Sequence, residues 1–230
     1  RTPELFWRGG FRETCDFRPT HPAPATLIAA RFNRTVTADT ERAMADAARV
    51  RSFYDHIEQL PEGVVGEIIN GQLHTHPRPS GPHVDAATLL LTDIAGPFYR
   101  GRGGPGGWRV LAEPELHFQR NTEVLVPDIA GWRRERLPEI PKDQRFEIVP
   151  DWICEILSVS TAGIDRDVKM PVYADYGVQH AWLVDPIAQT VEIYRLAAGA
   201  WDKRATFSGD GPIRAEPFES VSIPTPWSAE

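Results

Sequence analysis

Two cysteines in 230 residues are too few for a disulfide framework, and they sit in unlike surroundings: Cys15 in a polar stretch, Cys154 in an apolar one. No pairing is expected between them, which fits a reducing compartment. No apolar run approaches the roughly 18 residues a membrane span needs, and the first residues lack the basic-then-apolar order of a secretory leader. Together these absences point to a cytoplasmic protein without a membrane anchor. Internal repeats and low-complexity tracts are missing too, so repeat architectures are excluded. Positive charge is also short, with 25 Lys and Arg against 32 Asp and Glu and a net charge of −7. Such a balance argues against a general nucleic-acid coat protein.

The charge is unevenly spread. Residues 1–43 carry seven basic and five acidic residues, whereas the rest carries 18 and 27, or −9. An acidic body still admits an enzyme whose metal site needs carboxylates, provided a local basic rim exists. Arg100, Arg102, Arg109, Arg133, Arg134 and Arg136 are the candidates. Residues 1–43 show no sustained helical or strand period and contain several breakers. The expectation is that they form a disordered or spurious extension, that the natural chain starts at or near Met44, and that residues 44–230 form a single domain.

From Met44 the pattern is mixed α and β. Val50, Phe53, Tyr54, Ile57 and Leu60 mark one helix face ending at Pro61. "VVGEIINGQLHTH" reads as a hairpin around Asn70-Gly71. Residues 81–100 read as a helix ending near Gly96-Pro97, and "GRGGPGG" as a flexible loop. "WRVLAEPELHF" and "TEVLVPDIAGW" read as strands, and 133–144 as a charged loop. "WICEILSVS" is a further strand, followed by a helix from about Asp165 to Tyr176. "HAWLVDP" and "TVEIYRL" are strands, and the tail after Gly199 reads as short strands with turns.

Two motifs invite over-reading. Gly101, Gly103 and Gly106 match G-x-G-x-x-G, but they follow a helix and precede a strand, the reverse of a dinucleotide fingerprint. No nucleotide cofactor is expected. His74 and His76 share a strand face, yet no further Cys or His at zinc-like spacing supports a metal site, so solvated hairpin histidines are the expectation.

The chemistry concentrates elsewhere. "WICEILSVS" is apolar on both faces except for Glu155, and a lone buried carboxylate is costly unless something pairs with it. "EVLVPDIAGW" has one acid, Asp128, directly after Pro127. Proline cannot donate to a ladder, so the strand is expected to bulge or end there and turn Asp128 into a cleft. Two neighbouring carboxylates raise each other's pKa unless a cation neutralises them, and Mg²⁺ or Mn²⁺ prefers oxygen ligands. Downstream, Asp165, Lys169 and Tyr173 at i, i+4 and i+8 share one helix face. His83, after Pro82, reads as structural or as a phosphate contact.

"GEIINGQL", "VPDIAGW", "WICEILSVSTAGIDRDVKMPVYADYGVQHAWLVDP" and "VEIYRL" resemble the bacterial restriction-endonuclease family of the Uma type, within the PD-(D/E)XK nuclease superfamily. The likeness spans about residues 50–200. It implies a restriction-endonuclease-like α/β fold, a central mixed sheet flanked by helices, with an extra N-terminal hairpin and short C-terminal strands. It also implies that Asp128 and Glu155 are the metal-binding and catalytic acids and that Glu67 is a further metal ligand. The superfamily lysine belongs two residues after the acid, where Leu157 stands. The resemblance transfers that role to Lys169, with Asp165 and Tyr173 in support. Ala181 departs from the family's usual aromatic.

The resulting expectation is a Mg²⁺- or Mn²⁺-dependent endonuclease acting on DNA, with Arg133, Arg134 and Arg136 meeting the backbone. A homodimer would suit symmetric double-strand cleavage. The alternative is a non-cleaving nucleic-acid- or protein-binding module that keeps the nuclease fold.

Overall fold

A computed structural model describes residues 53–77 and 79–228. Cys15, the segment 1–43, Met44 and the first turns of the expected first helix lie outside the described residues. The order is α1 (Phe53–Ile57), β1 (Val64–Ile69), β2 (Gln72–Pro77), α2 (Gly81–Ile94), a π-helical turn (Ala95–Tyr99), β3 (Trp108–Ala112), β4 (Glu115–Gln119), β5 (Glu123–Leu125), β6 (Ile129–Arg133) and β7 (Arg145–Phe146). Then follow β8 (Trp152–Ile156), α3 (Ala162–Ile164), a second π-helical turn (Asp165–Lys169), α4 (Met170–Asp175), β9 (His180–Asp185), β10 (Thr190–Ala197) and β11 (Ala200–Ser208). No helix among the described residues is long and apolar enough to cross a membrane.

The strands form two mixed sheets, one of order β2-β1-β5-β4-β7 and one of order β11-β10-β9-β8-β6-β3. The hairpin is as expected. Asn70 and Gly71 both take left-handed φ, 53° and 69°, the conformation a two-residue type I′ turn requires. That turn places Glu67 opposite His74 and Val65 opposite His76.

Each of the two long strands expected between Trp108 and Trp132 is in fact two. Pro114 and Pro127 cannot donate to a ladder, and at each proline the chain leaves one sheet for the other. Glu113, at φ 45°, donates its N–H to the carbonyl of Asp128 at 3.0 Å, so the two crossings lie against each other.

β8 is buried along its whole length. Trp152, Cys154 and Ile156 face the cluster built with α2 and the C-terminal tail, through Leu90, Ile94, Phe98, Trp182 and Phe218. Ile153 faces the other cluster, which contains Trp132, Met170, Val172 and Tyr173. By strand alternation Glu155 lies on that second face. β8 and β9 are parallel, and the α3–α4 segment makes the crossover between them.

Both internal helical prolines fall in or just after π-helical turns. The helix from Gly81 therefore does not stop at Gly96-Pro97 but runs to Tyr99, closed by the Arg100 N–H on the carbonyl of Ala95. Pro171 follows the second π turn, where the Met170 N–H reaches Asp165. The wider turn takes up the hydrogen bond that proline cannot make. The tail also differs in detail, beginning with a nine-residue strand, β11, before its turns.

"GRGGPGG" connects helix to strand as expected, but it is tied down. Arg102 N–H bonds to the carbonyl of Gly96 and Gly106 N–H to that of Pro97, both at 2.9 Å. A Cβ on Gly104 would lie 2.4 Å from Pro97 Cβ, so only glycine fits that close approach.

Candidate functional site

The register of β6 and β8 pairs Ile129 with Cys154, which leaves Asp128 facing Glu155 one step further on. The Pro127 break ends the ladder there. The Ile156 N–H, instead of pairing with backbone, donates to Asp128 Oδ2 at 2.6 Å. The other oxygen, Oδ1, is 2.7 Å from His83 Nε2, contributed by the first turn of α2. A carboxylate only accepts, so the imidazole proton is assigned to Nε2.

Glu155 is 2% exposed. Its Oε1 accepts from the Tyr173 hydroxyl at 2.6 Å and lies 2.8 Å from Lys169 Nζ. Lys169 reaches it from the second π turn, while Leu157 points into the core at 3% exposure. The ammonium group is also 3.0 Å from Glu67 Oε1 and 3.7 Å from Asp165 Oδ1, and donates to the Val126 carbonyl at 3.2 Å. Glu67 in turn accepts the Val126 N–H at 2.7 Å and lies 3.3 Å from His76 Nε2.

Three carboxylates, from Glu67, Glu155 and Asp165, thus lie within 3.7 Å of one ammonium, and Asp128 stands opposite Glu155. Burial pushes Glu155 well above the usual carboxylate range; Lys169 pulls it down, and Asp165, Asp128 and Glu67 add to the rise. Asp165 is likewise raised by burial, against Lys169. Burial acts to raise Glu67 as well, but Lys169, His76 and the Val126 amide prevail and hold it at about 2. Burial alone would lower Lys169, yet Glu155, Glu67 and Asp165 keep it charged, well above its ordinary value. Burial and the nearby carboxylates push Tyr173 up, so its hydroxyl remains a donor. Negative charge is in surplus on an all-oxygen donor set, the type that hard cations favour. Among the described residues, no three His, Cys, Asp or Glu side chains are placed to close on one metal ion.

These groups line one cavity of about 270 Å³. Glu67, Asp128, Glu155, Asp165 and Lys169 all contribute, and Tyr173 stands behind Glu155. His74 and His76 line the same cavity and are half-buried rather than fully solvated. The type I′ turn carried that signal, because it sets His76 on the face of Glu67. Ser158, Ser160 and Thr161 add hydroxyls at the rim, and the exposed Glu113 adds a further carboxylate. These four had no signal beyond being polar, since their place depends on the crossings and on the loop after β8.

The arginines lie elsewhere. Arg133 is the last residue of β6, about 17 Å from Asp128 along the strand. Neither it nor Arg134 nor Arg136 lines the cavity.

A model of the Uma2 family, described as "Putative restriction endonuclease", matches residues 53–226. The chain belongs to the Uma2 family. A crystal structure of "a putative nuclease belonging to DUF820" from Anabaena variabilis is similar to this Uma2 chain at 25% identity, with a TM-score of 0.57. The match covers 74% of this chain and 94% of that one. No curated protein matches. The fold is therefore the mixed α/β arrangement of a nuclease family, as the resemblance implied.

Proposed function

We propose that this Uma2 protein is a metal-dependent endonuclease that hydrolyses DNA phosphodiester bonds in the acid-lined cavity. The observation that carries the reading is the Asp128–Glu155 pair, set opposite each other where two strands end, with Lys169 bound to one of them. Mg²⁺ takes one or two carboxylates and keeps several waters, so two protein ligands suffice. Asp128 and Glu155 would hold it, with Glu67 close by. Bound there, the cation would supply charge neutralisation at a phosphate oxygen and a more acidic water.

The protein's own groups do the positioning. Asp128 is fixed from two sides, by His83 and by the Ile156 amide. Lys169 has its three N–H directions on Glu155, Glu67 and Val126, so its work is to oppose the effect of burial on Glu155 and to hold that carboxyl in place. Being held protonated, it serves as a cation and not as a base. Tyr173 donates to the same Glu155 oxygen. The rim hydroxyls of Ser158 and Thr161 face the space a phosphate would enter. Free, buried Cys154 supports a cytoplasmic setting. Cleavage of both strands would take two copies of the chain.

Plasmid nicking with Mg²⁺ or Mn²⁺ tests the reading. Wild type should nick, and Asp128→Ala should lose at least about 100-fold of that rate. Calorimetry should show Mn²⁺ binding that weakens in Glu155→Ala. If wild type is as inactive as Asp128→Ala on DNA and RNA, the endonuclease reading falls and the binding module replaces it.

A further inference from the structure

Six arginines were candidates for a basic rim, and the structure sorts them by what they already do. Arg109 donates through Nε to the Leu137 carbonyl at 3.0 Å and through Nη2 to that of Pro138, tying down the loop after β6. Arg136 pairs with Asp151 at 2.6 Å, and the Arg133 amide takes the other Asp151 oxygen. The Arg133 guanidinium covers the Trp108 ring at 4.2 Å, and Arg134 donates to the Tyr99 carbonyl at 3.0 Å. Arg100 and Arg102 remain. Both are exposed, and neither side chain has an ion pair or hydrogen bond among the described residues.

These two are not placed at random. With Tyr99 and Arg134 they line a shallow cavity of about 420 Å³, which no acidic side chain lines among the described residues. The backbone that carries them is held in place: Arg100 N–H bonds to Ala95, Arg102 N–H to Gly96, and Gly104 packs on Pro97. Arg134 N–H bonds to Gly107, which closes the loop onto β6. Three arginines in an acidic chain, carried on a backbone that is held in place around a shallow concavity, make a receptor for a doubly charged or repeated anion.

We infer that Tyr99, Arg100, Arg102 and Arg134 form an exosite for the phosphate backbone of a nucleic acid. It lies at the end of β6 away from Asp128. The inference rests on the endonuclease reading for its choice of polyanion. An exosite at this distance holds the same molecule by a phosphate several nucleotides from the cavity. It supplies affinity and register without sequence information. It also gives an acidic body a local basic surface with which to engage DNA.

The test uses the full chain, a 30-base-pair DNA duplex and a chromogenic diester, bis-p-nitrophenyl phosphate, which has no neighbouring phosphates. The double variant Arg100→Glu/Arg102→Glu should bind the duplex at least about tenfold more weakly. Its plot of log affinity against log salt should be shallower by about two, since each lost phosphate contact removes about 0.9. The single variant Arg102→Glu should lose about half of that slope. Diester turnover and melting temperature should match wild type. Unchanged duplex affinity and slope would overturn the exosite, as would a wild type with no salt-dependent duplex binding. Equal affinity for polyglutamate of matched charge would overturn the nucleic-acid assignment in favour of an acidic peptide. If no protein turns over any diester while the affinity loss holds, the exosite stands and only the endonuclease reading falls.

Discussion

His83 Nε2 lies 2.7 Å from Asp128 Oδ1, and the pair links α2 to the point where β5 gives way to β6. His83 is 8% exposed, and its Nδ1 is buried without a hydrogen-bond partner among the described residues. The imidazole is therefore committed to one task, orienting the carboxylate. Removing it frees Asp128 to rotate about its remaining bond to Ile156.

His83→Ala should accordingly lower nicking by about 10–100-fold and weaken Mn²⁺ binding by a similar factor, the usual effect of losing a ligand's outer partner. Calorimetry with Mn²⁺ separates this from a packing defect. A loss of activity with unchanged Mn²⁺ affinity would remove His83 from the site and leave it as a core residue.

Lys169→Met removes the only lysine within reach of Glu67, Glu155 and Asp165 among the described residues. Three buried carboxylates without their cation should cost about 3–5 kcal/mol in urea unfolding at neutral pH. Adding Glu67→Gln to that variant should recover part of the loss, because the two groups are coupled. Purely additive losses would show that Lys169 and Glu67 do not share one network.

Glu192, which does not line the acid cavity, provides a pH-dependent check. Both of its oxygens accept from Arg166, at 2.9 and 3.1 Å. That contact is the main reason its carboxyl falls from 4.5 to about 2, against burial and with help from Tyr194 and Lys203. A carboxyl lowered by folding stabilises the native state above its ordinary value, and that stability is lost as pH falls through the lowered one. Glu192→Gln should therefore cost about 1 kcal/mol at pH 7, a figure reduced for the exposure of Arg166 and Lys203. The gap between variant and wild type in urea midpoints should shrink between pH 4.5 and pH 2. A gap that stays constant over that range would mean the bidentate contact does not form in solution.

Much of the architecture was legible because it depends on local chemistry. Asn70-Gly71 dictates a type I′ turn, and the turn dictates the register that puts Glu67, His74 and His76 on one face. Pro127 cannot donate to a ladder, so Asp128 was expected at a bulge or a strand end. The alternation of β8 puts Glu155 on the same face as Ile153 without reference to any other element. Composition, the acid-bearing strands and the Asp165–Lys169–Tyr173 spacing were likewise enough to mark the elements that carry the acids.

What the sequence could not decide were questions of which surfaces meet. Pro114 and Pro127 each interrupt a strand, but only packing shows that both interruptions are sheet crossings lying against each other. The helix through Pro97 continues because a π turn absorbs the missing N–H, an outcome that propensity opposes. Lys169 reaches Glu155 because the segment after β8 folds back over the sheet, and sequence distance says nothing about that reach. The arginines show the same division. Their charge was visible at once, but only the tertiary structure spent Arg109 and Arg136 on holding loops and left Arg100 and Arg102 facing solvent. Local hydrogen-bonding rules act within a few residues and can be read along the chain, whereas burial and charge pairing depend on partners the fold brings from far away.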